Sequence, residues 1–194
     1  PDEYNAIVEK ASSLKEELLK CPDITSVCAI DCPPGIIGTA SSGIYWPGKG
    51  EKDNSLVYLL RVSDDFIKTF GVKILSGEGF QGQSEKQGVL INETLARRMK
   101  QKDPSVDIKL FFGGNQLNVL GVVKDFSFNS IKDAQQASII IYQPLRGFYP
   151  CIRFSDKARI PVVLAHINNC MHDLFPDTSY RINFTNDFIV EKFL

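Results

Sequence analysis

No apolar run in this sequence is longer than a β-strand, and that restricts the folds open to it. The longest runs are Leu56–Leu60, Val119–Val123 and Ile139–Tyr142. A bilayer helix needs about 18 or more apolar residues in succession, so the 194-residue sequence holds no candidate span. Residues 1–20 are amphipathic and charged, not the basic-then-apolar pattern of a secretory leader. The apolar surface is nonetheless ample: 43% of residues are hydrophobic, with 13 Phe and 6 Tyr. That is enough to offset chain entropy and build one large domain or two small ones. Lys plus Arg number 22 against 23 Asp plus Glu, a net charge of -1. A near-neutral balance lacks the electrostatic footprint of a nucleic-acid binder, so no nucleic-acid partner is expected. The count of 5 Cys is odd, which excludes a fully paired disulfide framework.

Periodicity sets out the elements. Tyr4, Ile7, Val8, Ala11, Leu14, Leu18 and Leu19 recur at three and four, which predicts a helix over 2–20 stopped by Pro22. Ile24–Ile30 alternates as a half-buried strand does. Residues 31–55 carry Pro33, Pro34, Gly35, Gly38, Gly43, Pro47, Gly48 and Gly50, and read as a long loop or ribbon. Strands are expected at Leu56–Val62, Val89–Ile91, Leu117–Val123, Ser138–Tyr142, Cys151–Phe154 and Tyr180–Phe184. Ser63 or Asp64 is expected to cap a short helix that leaves through Gly71, and Asn92 to cap a second, Glu93–Lys100. Arg159–Leu174 reads as a helix with Pro161 in its first turn. The helix and strand elements at the start and at the end suggest two related α/β halves around a different middle.

Catalytic chemistry is poorly supplied. His166 and Cys170 stand four apart on one helix face, and His172 points elsewhere; no second cluster completes a coordination sphere. No metal or cofactor is expected. With two His close together on one helix and no Gly-x-Ser-x-Gly elbow, nucleophile–base pairs are lacking. Gly77-Glu78-Gly79 and Gly113-Gly114 are not phosphate loops, since no Gly-Lys-Ser/Thr follows. Asp64 and Asp65 are explained by helix capping. If one strand runs through Cys28 and Cys32, they sit about 13 Å apart on one face, beyond bonding range; a bridge requires Pro33–Gly35 to fold the chain back.

Three stretches together resemble a known family. They are Val62-Ser63-Asp64-Asp65-Phe66-Ile67-Lys68-Thr69-Phe70-Gly71 continuing to Gly77, then Val89-Leu90-Ile91-Asn92-Glu93-Thr94-Leu95-Ala96, then Leu120-Gly121-Val122-Val123-Lys124-Asp125-Phe126-Ser127-Phe128-Asn129-Ser130-Ile131. In this order they are similar to the MacB-like periplasmic core domain of FtsX/MacB-type ABC transporter permeases, above all the large permeases of Bacteroidetes. Phe184–Phe193 resembles the family's lead into the next membrane helix. Two departures stand out: Gly77-Glu78 where the family often has Gly-Arg, and no Pro in Ala134–Ser138.

The resemblance implies an α+β fold of two lobes. A discontinuous βαβ lobe (Porter-like), residues 1–60 and 150–194, would carry an inserted α+β lobe (Sabre-like), residues 61–149. It implies a domain on the periplasmic face of the bacterial inner membrane, set between two membrane helices and not catalytic itself. Such a domain passes ATP-driven motion to periplasmic substrates or partners, for export, extraction or signalling. The implied partners are a cytoplasmic ATP-binding subunit, a second permease copy and a periplasmic adaptor or substrate protein. The start without Met fits a piece of a longer protein. Apolar residues in the 31–50 loop ask for an explanation, so Ile36, Ile37, Ile44, Tyr45 and Trp46 are expected to form a partner-contact surface, with Arg146 and Phe148 as a second patch. The competing expectation is that Trp46 folds back as a lid on the local core. Two other function classes stay open. An extracytoplasmic ligand-binding or sensor module predicts a formed pocket. A Cys-dependent enzyme predicts a low-pKa thiol among Cys28, Cys32 and Cys151.

Overall fold

Strand pairing dominates the structure, a computed structural model that describes residues 2–33, 38–63, 65–80, 88–99, 109–126, 136–143 and 149–184, with residues 2–8 described in backbone only. The elements run α1 (Asp2–Leu19), β1 (Ile24–Ile30), β2 (Thr39–Ser41), β3 (Val57–Val62), α2 (Phe66–Phe70), β4 (Ile74–Gly77), β5 (Gly88–Asn92), α3 (Glu93–Arg98), β6 (Lys109–Phe112), β7 (Asn115–Val123), β8 (Ser138–Tyr142), β9 (Tyr149–Phe154) and α4 (Ile160–Leu174). No described helix is long and apolar enough to cross a membrane. The α+β fold class read from the sequence holds.

One mixed sheet carries these strands in the order β4-β7-β5-β8-β3-β1-β9, with β2 beside β3 and β6 beside β7. The β3–β8 and β5–β7 pairs are parallel; the others are antiparallel. The apolar runs seen in the sequence are the buried central strands: every residue of β5 is buried, as are Ile139 and Ile140 of β8. Burial on both faces is why these strands read as continuous rather than alternating.

Three clusters of buried side chains divide the molecule. One packs Ile44, Trp46, Val57 and Leu59 with Val89, Ile91, Leu95, Leu110 and Ile139. A second, under α2, joins Cys28, Ile30 and Cys32 to Leu60, Val62, Phe66, Leu90 and Val123. The third holds α1 and α4 against the β1–β9 ribbon through Leu14, Leu18, Cys21, Ile24, Val27, Val163, Ile167 and Cys170.

The join between the ribbon and the larger sheet is narrow. Among the described residues β1 meets β3 at a single register pair, Ile30↔Val62. Polar contacts reinforce it. Asp31 N donates to Arg61 O at 3.0 Å and Ser63 N to Ala29 O at 2.8 Å. The Asp31 carboxylate accepts from Arg61 N at 3.1 Å and from Arg61 Nη1 at 3.0 Å. Beyond this join, residues 44–59 pack with β5, β6 and α3 of the middle of the chain, and β3 runs straight through residues 60 and 61.

Local signals explain several boundaries. Asn92 caps α3 as expected, its Oδ1 accepting from Leu95 N at 3.0 Å. Gly71 ends α2 at φ 65°. The N-terminus of α2 differs: Asp65 occupies the cap at φ 61° without a side-chain cap bond. Ser63 Oγ instead accepts from Ala29 N at 2.8 Å, across the join, and Asp64 lies outside the described residues. The expected strand Tyr180–Phe184 is not one. It pairs with no described strand, and Tyr180, Ile182 and Phe184 are exposed. Its contacts include Tyr180 Oη donating to Asn168 Oδ1 at 2.9 Å and a Phe154–Phe184 edge contact at 6.3 Å.

Candidate partner-contact site

The loop expected to offer Ile44, Tyr45 and Trp46 to a partner is fastened to the sheet. Tyr45 N donates to Phe111 O at 2.9 Å and Phe111 N to Tyr45 O at 2.8 Å, a bridge onto β6. Alternation across that bridge sends the two flanking side chains inward. Ile44 and Trp46 are 1% and 3% exposed, whereas Tyr45 is 51% exposed. Lys49 locks the arrangement. Its Nζ donates to Ser42 O at 3.0 Å and Ile44 O at 2.6 Å, and lies 4.8 Å from the Trp46 ring centroid. The expected contact role of Ile44 and Trp46 is therefore corrected: they are core residues, because the loop gains more by burying an indole and a sec-butyl group than by showing them to water. Tyr45 remains at the surface, its ring 6.3 Å from that of Phe111. Ile36, Ile37, Arg146 and Phe148 lie outside the described residues.

Polar residues of the second and third sequence stretches converge on one structural knot. Asp125 follows β7, and its Oδ1 accepts from Thr94 N at 2.9 Å. Its Oδ2 accepts from Thr94 Oγ1 at 2.7 Å and Arg97 Nη2 at 2.8 Å. Asn92 donates from Nδ2 to Gln136 O at 2.7 Å and accepts from Ser138 N at 2.9 Å. The pair thus ties α3 to the exit of β7 and the entry of β8. Gly121 serves the same end. A Cβ there would stand 2.6 Å from Glu78 O and 2.8 Å from Ser76 O, so only glycine lets β4 approach β7. These motif residues hold the fold; they face no cavity as a reactive set. Phe126 joins the core under α2, while Phe128 lies outside the described residues.

His166, singled out with Cys170 and His172, has its Nε2 2.9 Å from Glu17 O and 3.6 Å from Cys170 Sγ. His172 is exposed beside Asp173. Among the described residues no three His, Cys, Asp or Glu stand together as a metal site.

Two features escaped the sequence. A groove of about 1190 Å³ lies between α1, α4 and the β1–β9 ribbon, lined by Leu14, Leu18, Val27, Ile152 and Val163, with Cys28 and Cys151 in its wall. Cys28 and Cys151 are partners in strand register. The Cys28 thiol is held below its ordinary value, chiefly by a hydrogen bond from the Cys151 thiol and further by Thr69, against the opposing effect of burial. The Cys151 thiol is pushed up by that bond and by burial. Burial, with Asp31 beside it, pushes the Cys32 thiol up to about 12. All five cysteines are free. Such a pairing across more than a hundred residues of sequence leaves no local signature.

The terminal elements share one ribbon, and a different unit lies between them. The structure is similar to the periplasmic region of MacB from Actinobacillus actinomycetemcomitans, with a TM-score of 0.65 at 16% identity over 93% of this chain and 80% of that one. It is also similar to a domain of a protein assigned as a permease from Porphyromonas gingivalis, with a TM-score of 0.57 at 15% identity over 82% of this chain and 68% of that one. A third match is the extracellular domain of the noncanonic ABC-type transporter YknZ from Gram-positive bacteria, with a TM-score of 0.60 at 13% identity over 83% of this chain and 81% of that one. The chain has the MacB-like periplasmic fold. No protein-family model matches it, and no curated protein matches it in sequence.

Proposed function

We propose that this chain is an extracytoplasmic domain of an ABC transporter permease, on the periplasmic face of the inner membrane, that catalyses no reaction itself. In this reading it passes motion driven by a cytoplasmic ATP-binding subunit to periplasmic substrates or adaptors, working beside a second permease copy. The observation that carries the reading is the shared fold: a periplasmic region, an extracellular domain and a permease domain match over 82% to 93% of the chain. The polar motif residues support it, because they are spent on tying strands and helices together rather than on a reactive centre.

The single β1–β3 register pair suits a domain that has to move. The ribbon has a core of its own on its helix side, is joined at Ile30↔Val62 and braced by Asp31–Arg61, and shares the core under α2 with the larger sheet through Cys28, Ile30 and Cys32. We propose residues 1–60 and 150–194 as the Porter-like lobe and 61–149 as the inserted lobe, with β3 continuous across that boundary. The contact face proposed for partners centres on Tyr45, with Ile36, Ile37, Arg146 and Phe148 as further positions to substitute.

The test is side-specific labelling of the full-length protein in its membrane. Tyr45→Cys is expected to react with a membrane-impermeant maleimide in cells whose outer membrane alone is opened, above the background of the parent protein. Labelling that requires lysis of the inner membrane refutes the placement.

A further inference from the structure

We propose that Cys28 and Cys151 form a dithiol that closes to a cross-strand disulfide by exchange with a disulfide-bearing oxidant. The two residues are Cα partners on neighbouring antiparallel strands, flanked by Val27↔Ile152 and Ala29↔Pro150. Directly opposed residues of an antiparallel pair share a face, with Cβ atoms about 4.5–5.5 Å apart. A disulfide asks for Cβ atoms about 3.5–4.5 Å apart and Cα atoms about 4.4–6.8 Å apart, so a small approach of the two strands, with rotation of both side chains to bring the sulfurs together, suffices.

Access and selectivity follow from the surroundings. Both thiols share the core under α2, where Cys28 is 2% exposed and Cys151 is half-buried, so Cys151 is the one an oxidant reaches first. The neighbouring Thr69, whose hydroxyl is 2.7 Å from that of Ser26, adds a hydrogen bond that favours the Cys28 thiolate, the form that attacks a disulfide. Cys32 is shut in: its Sγ is close enough to Gly38 that a Cβ there would stand 3.0 Å away, and burial holds its proton. Cys21 and Cys170 sit in the separate core under α1 and α4. The pairing thus uses two of the 5 cysteines and leaves three thiols, as the odd count requires.

The step balances as an exchange. The oxidant's S–S bond breaks and one forms between Cys28 Sγ and Cys151 Sγ. Two electrons pass from the dithiol to the oxidant, and the two thiol protons end on the oxidant's sulfurs. The proposal rests on the extracytoplasmic reading only for its source of oxidant, a protein or small-molecule disulfide of an oxidising compartment.

The test is to equilibrate the reduced chain across ratios of oxidised to reduced glutathione, alkylate free thiols, unfold, digest and map peptides by mass spectrometry. The expected result is a reductant-sensitive peptide joining Cys28 to Cys151, with Cys21, Cys32 and Cys170 recovered as thiols, and no such peptide in Cys151→Ser. Free Cys28 and Cys151 at every ratio, or a bridge through Cys32, overturns the proposal without need of any variant. Trapping thiols by acid and alkylation in cells separates the two readings. Closure in glutathione with free thiols in cells upholds the pair and refutes the oxidising location.

Discussion

Trp46 offers the sharpest test of how the 31–50 region folds, because contact surface and core predict opposite behaviour. The perturbation is Trp46→Ala. The indole is 3% exposed among Ile44, Val57 and Leu59 and lies beneath the Lys49 ammonium. Truncating a buried Trp costs about 3–5 kcal/mol through lost transfer energy and the cavity left behind. The cation–π contact adds about 1 kcal/mol. The expected loss is about 4–6 kcal/mol, a large share of a stability of about 5–15 kcal/mol. With a urea slope of about 2 kcal/mol per M, the midpoint falls by about 2–3 M. Far-UV circular dichroism is the readout, since the substitution removes the only Trp. The parent's emission supplies a second measure: iodide is expected to quench it far less than free indole. Tyr45→Ala, one residue away and exposed, is expected to stay within about 0.5 kcal/mol of the parent. A Trp46→Ala shift below about 0.5 M, or free access of iodide to the indole, refutes the inward packing.

Other substitutions probe the ties between elements. Gly121→Ala forces β4 and β7 apart at Glu78 and Ser76 and is expected to cost about 1–3 kcal/mol in thermal unfolding; Gly50→Ala, which meets nothing within 4 Å, is expected to be silent. Asp125→Ala removes the acceptor of Thr94 N and Thr94 Oγ1 and one of two acceptors of Arg97 Nη2, which keeps its bond to Thr94 Oγ1, with a loss of about 2–3 kcal/mol by chemical denaturation, part of which Asp125→Asn restores. For Cys32 the folded value is raised from 9.0 to about 12, so the folded chain holds this proton more tightly than the unfolded one. Its contribution is complete below 9.0 and is lost as pH rises toward about 12. The denaturation midpoint of the parent is thus expected to fall more steeply with pH in that window than that of Cys32→Ala.

What the sequence reveals and what it hides divide along distance. Helix α1 is legible because its period and Pro22 are local, and it runs Asp2–Leu19 as read. The Asn92 cap is legible for the same reason. The α2 cap is not: Ser63 has a capping side chain, but Ala29 N, far away in sequence, takes it. The strands β2, β4 and β6 are three or four residues long and owe their form to the partners they lie against, β3 and β7. Tyr180–Phe184 alternates like a strand yet finds no partner among the described residues, which shows that pattern without pairing makes no ladder. Ile44 and Trp46 looked like a display surface because Phe111 and Lys49, the residues that turn them inward, act through space. Tyr45 is the part of that expected surface left facing water.

The β1–β9 ribbon also fixes an order of events at the ribosome. Its contacts span most of the chain: 128 residues separate Thr25 from Arg153, 136 separate Asp23 from Arg159, and 149 separate Glu17 from His166. The apolar faces of α1 and β1 therefore emerge early and have nothing to cover them until β9 and α4 follow. At about 5–20 residues per second that interval is about 6–30 s. The middle strands, whose partners lie nearer in sequence, can close meanwhile. Within this domain the part made first is completed last, and a chaperone that shields apolar helices is needed most by α1 and β1.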